Sequence, residues 1–409
     1  METDIYNCFD RYERRFARAM AAIPNRRPWV AEEKAQIIST VHDCLGIRDE
    51  WVPQIRTETV SRSKHAGFSL ELLRFTSWPG TVGTAWLYVP EEKADKLPAV
   101  LLCCGHGYRG KWDPQYQAMA RHLARLGALV IVPDNIGQGE RESMGHADAV
   151  VPFACGTSMQ GLIVMETMGW VRWLNQNPRV DSRRIAACGN SGGGTLTIFL
   201  GALCPELAVL CSSGYPSSFE FVARKEKKHC HCNIIPRVVG EIEMWQVYGC
   251  FAPRPLFLFQ GNSDYLFPSA IFYINARKVQ KTFVMAGAEK SFSFKVVEGD
   301  HKWDLNRIDL VGRFLAANLG LPHHLSPQNE EVFPADKATQ CLEKWPAEAL
   351  TTDDLARRIT GQNPPAGLKL WDVFPPDMPA DAATIKPLYG HVCDVRQVFA
   401  QFEAFLKRS

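Results

Sequence analysis

The chain has 409 residues, of which 46% are hydrophobic, and this is enough to build one large core with appendages. Lys and Arg number 46 against 44 Asp and Glu, so the formal net charge is only +2 and a nucleic-acid partner is not expected. No apolar run approaches the ~18 residues that a membrane span needs, and the charged N-terminus lacks a signal-like apolar stretch, so we expect no membrane partner and a cytoplasmic location.

The 13 cysteines are scattered without the spacing of a small disulfide-bonded domain. Several of them, such as Cys103, Cys188 and Cys211, lie within apolar runs. Cysteine that is not in a disulfide behaves as a small buried hydrophobe, so these residues are expected to be reduced and to lie in the core.

The predicted elements change in character along the chain. Residues 1–60 contain two helical stretches separated by the proline-bounded segment 24–28, and we treat them as an N-terminal helical segment. Beyond them, apolar strands are expected at 67–75, 82–89, 99–104, 128–132, 184–188, 208–212, 255–260 and 292–297. From about residue 98 onward these strands alternate with longer helical stretches, as at 115–126 and 159–174.

This alternation is typical of βαβ units and predicts an α/β fold with a mostly parallel central sheet. The strands are apolar throughout, so helices should cover both faces of the sheet. We expect one such domain over residues 61–320, with an insertion at 215–249 between two of its strands. Proline is concentrated in residues 321–409, which are therefore predicted to form a loop-rich C-terminal appendage.

Gly189-Asn-Ser-Gly-Gly193 matches the pattern G-x-S-x-G and lies between a predicted strand and a predicted helix. In that context the serine occupies a tight, strained turn that exposes its hydroxyl above the sheet. The residues two before and two after the serine approach each other, so both must be small. We therefore predict that Ser191 is a nucleophile. The alternative is a glycine-rich turn without chemistry.

An acid and a base should follow the nucleophile in chain order, each in a loop after a strand. Asp264 and His301 follow the last two predicted strands, and we predict that they are the acid and the base. Neutral imidazole accepts the serine proton while a carboxylate on its other nitrogen fixes the tautomer. Asp300 and Asp304 are competing acids, but a sequence neighbour of His301 rarely reaches its far ring nitrogen.

Two backbone N–H groups are needed to stabilise a tetrahedral oxygen. We expect the first from Gly192, directly after the nucleophile, and the second from Tyr108, in the loop after the strand at 99–104. The Tyr108 side chain is also a candidate for substrate binding. Trp245 and Trp303 are further candidates because an indole ring stacks on sugars, although buried tryptophan more often packs in a core.

Together these motifs resemble those of the α/β-hydrolase superfamily, in particular the acetyl xylan esterases and the dienelactone-hydrolase-like esterases. The resemblance covers about residues 60–320 and rests on His106-Gly-Tyr108, on residues 133–141, on the Ser191 pattern, and on Ala252-Pro-Arg-Pro255 leading to Asp264. It implies the α/β-hydrolase fold and a serine esterase that removes a small acyl group, such as acetyl, from a sugar through an acyl-enzyme. Dienelactone hydrolases carry cysteine where this chain has Ser191, and related acetyl esterases carry glutamine where it has Gly192, so the substrate stays open.

The expected partner is therefore a small-molecule ester, such as an acetylated sugar, and assembly into a homo-oligomer stays open. A peptidase, a lactone hydrolase or another acyl hydrolase on the same fold is an alternative. A different class is a non-catalytic binding protein on a hydrolase scaffold. The complete set of Ser191, Asp264 and His301 argues against that class.

The segment His229-Cys-His-Cys232 raises the question of a metal. In an extended segment, alternation places the two histidines on one side and the two cysteines on the other. Each side then offers two ligands, whereas zinc takes three or four from a protein. We therefore predict no metal and no cofactor, and interpret the segment as a structural part of the insertion.

Overall fold

The computed structural model describes residues 17–91, 94–146, 150–224, 230–238 and 240–373. Its strands are β1 (Arg56–His65), β2 (Phe68–Thr76), β3 (Gly83–Pro90), β4 (Leu97–Cys103), β5 (Leu129–Pro133), β6 (Val180–Asn190), β7 (Val209–Ser213), β8 (Leu256–Gly261) and β9 (Phe292–Val297). They form one sheet in the order β1-β2-β3-β5-β4-β6-β7-β8-β9.

The longer helices are α1 (Ala31–Leu45), α2 (Pro114–Arg125), α3 (Met159–Gln176), α4 (Gly192–Leu203), α5 (Phe219–Arg224), α6 (Met244–Gly249), α7 (Ser269–Met285), α8 (Leu305–Leu319) and α9 (Thr352–Thr360). One-turn helices occupy Val151–Ala154 and Leu370–Val373. Short 3₁₀ helices occupy Asp49–Trp51, Gly110–Trp112, Gly139–Met144, His231–Asn233 and Glu289–Ser291.

The sheet is antiparallel at one end and parallel over the rest. The pairs β1–β2, β2–β3 and β3–β5 are antiparallel, and every pair from β5–β4 to β8–β9 is parallel. The predicted α/β fold with a mostly parallel sheet is therefore confirmed. The carboxyl ends of the parallel strands meet at one edge, where ligands bind in folds of this kind.

Helices cover both faces of the sheet, as the apolar strands predicted. Along β4, Leu101 packs into a core shared with α1, α3, α4 and α7, whereas Leu102 packs into a core shared with α2 and α8. Both leucines are completely buried, and burial of each stabilises the fold by about 1.5–3 kcal/mol. A strand buried on both faces shows no polar alternation, which explains its continuous apolar sequence.

The first strand, β1, was not predicted. Residues 56–64 are all exposed and largely charged or hydroxylic, so they show no apolar pattern. The strand forms only by pairing with β2 at the edge of the sheet, where charged side chains oppose pairing with another chain. It also crosses residue 60, where we expected the N-terminal helical segment to end.

The described part of the C-terminal appendage packs on the domain. The backbone N–H groups of Cys341 and Leu342 donate to the Glu140 carboxylate at 2.8–3.0 Å. Trp86 Nε1 donates to the Thr339 carbonyl at 3.1 Å. These contacts attach the loops that precede α9 to β3 and to the segment after β5. Residues 374–409 of the predicted appendage lie outside the described residues.

Candidate active site

Ser191 lies in the turn between β6 and α4, with φ 59° and ψ −123°. Residues with a side chain rarely adopt this region, so the turn is strained. A Cβ atom on Gly189 would lie 2.4 Å from the Gly193 carbonyl oxygen, and one on Gly193 would lie 2.1 Å from that of Cys103. Both glycines are therefore required by close backbone approaches. The turn has the geometry of a nucleophile elbow.

Asp264 and His301 lie in the loops after β8 and β9. Their side chains are hydrogen-bonded, with 2.7 Å between Asp264 Oδ2 and His301 Nδ1. Asp264 Oδ1 accepts from the backbone N–H groups of Leu266 at 2.8 Å and Phe267 at 2.9 Å, and Oδ2 also accepts from Gln260 Nε2. These donors fix the carboxylate in position and favour its ionised form.

The pKa of Asp264 reflects opposing effects. Burial raises it, whereas the hydrogen bond and charge of His301 and the backbone N–H groups of Phe267 and Leu266 lower it. The net pKa lies below the usual value for aspartate. The group is therefore a carboxylate at neutral pH, the form that orients an imidazole.

The competing acids have other partners. Asp300 Oδ1 accepts from the backbone N–H of Lys302 at 3.1 Å, and its side chain is 58% exposed. Asp304 is the N-cap of α8 and accepts from the backbone N–H of Arg307 at 2.9 Å. The carboxylate that is hydrogen-bonded to His301 is that of Asp264.

The second ring nitrogen of His301 is available for proton transfer. Nε2 is buried and has no hydrogen-bond partner, so it is not yet bonded to the Ser191 hydroxyl. Catalytic hydrogen bonds of this kind often tighten only when substrate binds. The His301 carbonyl accepts from Asn190 Nδ2 at 2.8 Å, which ties the base loop to the residue directly before Ser191.

The loop after β4 contacts the elbow through Gly105 and His106. A Cβ atom on Gly105 would lie 3.2 Å from Ser191 Cβ, and one on Gly192 would lie 2.8 Å from the His106 backbone nitrogen. The Tyr108 side chain is 71% exposed. The N–H groups of Gly192 and Tyr108 stay predictions as oxyanion donors. The N–H of His106 is a further candidate from the same glycine-rich loop.

The two predicted tryptophans occupy different environments. Trp303 is buried in the core beside α2 and α8, and its Nε1 donates to Ser213 Oγ at 2.8 Å. Its ring meets Tyr116 edge to face, with 6.0 Å between centroids. It is therefore a core residue rather than part of an open pocket wall. Trp245, in α6, is partly buried against the opposite core, and its contact with substrate stays a prediction.

An aromatic group that was not singled out from the sequence lies on one side of the candidate base. The Phe267 ring stacks on His301 with 5.9 Å between centroids. Tyr215 and Phe221 contact the same ring, with centroids 5.3 Å and 6.2 Å away. Both belong to the insertion at 215–249, which therefore contacts the phenylalanine ring that stacks on the candidate base. Their aromatic character was the available signal, but nothing local distinguishes them from core residues.

The cysteine-rich segment is not extended. His231–Asn233 form a 3₁₀ turn, and the His231 ring lies 6.4 Å from that of Phe153. His229 lies outside the described residues. The alternation on which the two-sided prediction rested is therefore absent from residues 231–233.

Cys230 and Cys232 lie instead beside His106 and His146. One ligand atom from each of the four residues lies within 4.8 Å of the others. The two imidazole rings are tilted, with centroids 5.1 Å apart. A hydrogen bond from Cys232 lowers the pKa of Cys230, burial raises it, and hydrogen bonds from His106 and His146 lower it further, so that the net pKa lies far below the usual range.

A buried ionic network fixes the loop after β4. Lys111 Nζ lies 2.5 Å from Asp134 Oδ2 and 2.6 Å from Glu140 Oε1. Burial lowers the pKa of Lys111, but Asp134 and Glu140 raise it more, so the lysine stays charged. Arg141 pairs with Glu166 at 2.6 Å beside this group. The network holds the segment that follows the candidate oxyanion loop.

Comparison with known proteins gives a consistent result. A family model described as acetyl xylan esterase matches residues 67–235. YtaP of Bacillus subtilis (strain 168), whose name describes it as a hydrolase, is 23% identical over 283 residues, which are 65% of this chain and 91% of YtaP.

Two solved structures illustrate the shared fold. One is a Bacteroides fragilis protein named as an acetyl xylan esterase, with a TM-score of 0.58, 17% identity, and coverage of 69% of this chain and 80% of that chain. The other is a glucuronoyl esterase from Solibacter usitatus, with a TM-score of 0.55, 13% identity, and coverage of 71% and 93%. The structures share the α/β-hydrolase fold, and the family match supports a carboxylic ester hydrolase.

Proposed function

We propose that this chain, which has the α/β-hydrolase fold, is a serine-dependent esterase that removes small acyl groups from carbohydrates. The observation that carries the proposal is the Asp264–His301 hydrogen bond of 2.7 Å beside the strained turn at Ser191. The match to the acetyl xylan esterase model supports the carbohydrate ester as the substrate class.

The proposed reaction proceeds through an acyl-enzyme. Ser191 Oγ attacks the ester carbonyl while His301 Nε2 accepts its proton, and Asp264 stabilises the imidazolium that forms. Backbone N–H groups of Gly192 and of the loop after β4 stabilise the tetrahedral oxyanion. The bond between the acyl carbon and the sugar oxygen then breaks, and His301 protonates that oxygen so that it leaves as a hydroxyl. A water molecule, activated by the same histidine, hydrolyses the acyl-enzyme.

A preference for short acyl groups follows from the insertion. Phe221 contacts Phe267, which stacks on His301, so aromatic rings from the insertion and the acid loop crowd the base. Each methylene that cannot enter the pocket forfeits up to ~0.8 kcal/mol of burial. We therefore propose that acetyl esters are better substrates than octanoyl esters.

The test is a substrate panel with a matched pair of variants. We expect kcat/KM for acetyl, butyryl and octanoyl esters of one alcohol to fall with chain length, and acetylated sugars to be hydrolysed. Ser191→Ala should lower kcat by up to ~10⁶, whereas the exposed-serine control Ser326→Ala should not change it. Rates that are equal or rise with chain length would contradict the short-acyl proposal.

The same panel separates the alternative functions. A peptide anilide tests for a peptidase, and a lactone tests for a lactone hydrolase. An alkyl ester of glucuronic acid is included because a glucuronoyl esterase shares the fold. A well-folded protein that hydrolyses none of these compounds would indicate a binding protein on a hydrolase scaffold.

We propose a cytoplasmic location. Within the described ranges, no cysteine forms a disulfide, as expected in a reducing compartment. No helix in those ranges has both the length and the apolar character needed to cross a bilayer. Fractionation of cells that express the full-length natural gene tests the compartment, and sedimentation tests whether the protein forms a homo-oligomer.

A further inference from the structure

The cluster of His106, His146, Cys230 and Cys232 offers the two residue types, histidine and cysteine, that bind zinc tetrahedrally. One ligand atom from each residue lies within 4.8 Å of the other three. Around Zn²⁺, tetrahedral bonds to sulfur and nitrogen require separations of about 3.3–3.8 Å between ligand atoms. Small side-chain rotations would close the difference, because each of the four ligand atoms is already within 4.8 Å of the other three.

His146 is oriented for this role. Its Nδ1 lies 2.8 Å from the Ile136 carbonyl, which makes Nδ1 the protonated nitrogen and leaves the lone pair on Nε2. Nε2 is buried and is the ring nitrogen left to face the cluster. A metal-bound histidine typically donates its other N–H to a carbonyl in this way, which fixes the ring and its tautomer.

From this geometry we infer that the protein binds one Zn²⁺ ion between His106, His146, Cys230 and Cys232. Two thiolates and two neutral imidazoles balance the charge of a divalent cation, so the occupied site carries no net charge. Thiolate and imidazole ligands together select zinc among the common divalent ions. Four protein ligands close the coordination sphere, which is the pattern of a structural zinc site. The exposed His106 provides the route of entry.

The position of the site gives it a function. Cys230 and Cys232 belong to the insertion, His146 to the segment after β5, and His106 to the loop that contacts Gly192. Zinc would therefore join the insertion to the loop that supplies the candidate oxyanion donors. It is a positioning site, because neither Ser191 nor His301 is among the four ligand residues.

Metal content of the full-length protein tests the inference directly. The protein is produced with zinc in the medium, purified without a histidine tag, and measured by inductively coupled plasma mass spectrometry. We expect about one zinc per chain, as for a closed four-ligand site. The variants Cys232→Ser and His146→Ala should lose it. The controls Cys155→Ala and His324→Ala should retain it, because neither residue belongs to the cluster.

Two further measurements keep the result interpretable if the variants fold poorly. Cobalt substitution of the wild-type protein should give the intense absorption of a thiolate-to-cobalt charge transfer. Ser191→Ala should also bind zinc at the wild-type level, so a failure of the esterase proposal does not affect this result. Zinc-free wild-type protein, full zinc content in Cys232→Ser, or a Cys230–Cys232 disulfide by mass spectrometry would each overturn the inference.

Discussion

Replacing Asp264 with asparagine should prevent His301, the candidate base, from accepting a proton while leaving its ring in the same position. Asp264 Oδ1 accepts from two backbone N–H groups, so the asparagine oxygen must occupy that position. The NH₂ group is then forced to the Oδ2 position, 2.7 Å from His301 Nδ1. Nδ1 must accept this hydrogen bond, so the imidazole proton moves to Nε2. A protonated Nε2 cannot accept the proton of Ser191.

The loss should be large. A triad with the wrong tautomer loses about 10⁴ in kcat. At ~1.36 kcal/mol for each factor of ten, this corresponds to about 5.4 kcal/mol of transition-state stabilisation. Gln260 Nε2 also donates toward the Oδ2 position, so the variant places two donors against each other. We therefore expect a small loss of stability as well.

The assay is the rate of hydrolysis of p-nitrophenyl acetate, with circular dichroism to confirm the fold. Asp300→Asn and Asp304→Asn are matched controls, because neither carboxylate is hydrogen-bonded to His301 and asparagine retains the N-cap of α8. Both should keep rates close to wild type. An Asp264→Asn rate within tenfold of wild type, or a larger loss in Asp300→Asn, would refute the assignment of the acid.

Three other changes have defined outcomes. Gly193→Ala places a Cβ atom 2.1 Å from a backbone oxygen, so thermal unfolding should show that the free energy of unfolding falls by about 1–3 kcal/mol. The control Gly107→Ala, whose added Cβ atom meets open space, should leave the free energy of unfolding unchanged. Equal stability of the two variants would contradict the close approach at Gly193. Lys111→Met leaves the carboxylates of Asp134 and Glu140 buried without their cation, so the free energy of unfolding measured with denaturant should fall by about 3–5 kcal/mol. The control Lys278→Met replaces an exposed lysine and should leave the free energy of unfolding unchanged. Because the pKa of Asp264 is lowered in the folded state, its contribution to stability is present above the ordinary carboxyl pKa of about 3.9 and is lost as pH falls through the lower folded-state value. Wild-type Tm should therefore fall more steeply than that of Asp264→Asn as pH is lowered toward about 3, and parallel curves would contradict this.

The parallel strands and the elbow could be predicted because the sequence pattern that produces each of them lies within a short segment. A strand buried on both faces must be apolar throughout, as β4 is, and the elbow requires glycine wherever the backbone approaches another backbone. Positions after successive strands then place Asp264 and His301 at the same edge. The edge strand β1 could not be predicted, because it buries no apolar face and depends on pairing with β2.

The four residues of the proposed zinc site could not be predicted as a cluster because they come from distant parts of the chain. Alternation within residues 229–232 suggested two ligands on each side, but the segment turns, and His106 and His146 come from loops far away in sequence. Trp303 illustrates the reverse difficulty. It lies two residues after His301, yet its ring is buried beside Tyr116, whereas Phe221 of the insertion contacts Phe267, the ring that stacks on His301.

The most direct test of the central claim is covalent labelling with a fluorophosphonate, which reacts with activated serine nucleophiles. The probe is added to the native protein, and the modified peptide is identified by mass spectrometry. Our account predicts a single modification at Ser191 that is absent after heat denaturation and absent in Ser191→Ala. Labelling of another residue, or no labelling of a folded protein that hydrolyses esters, would contradict the assignment of Ser191 as the nucleophile.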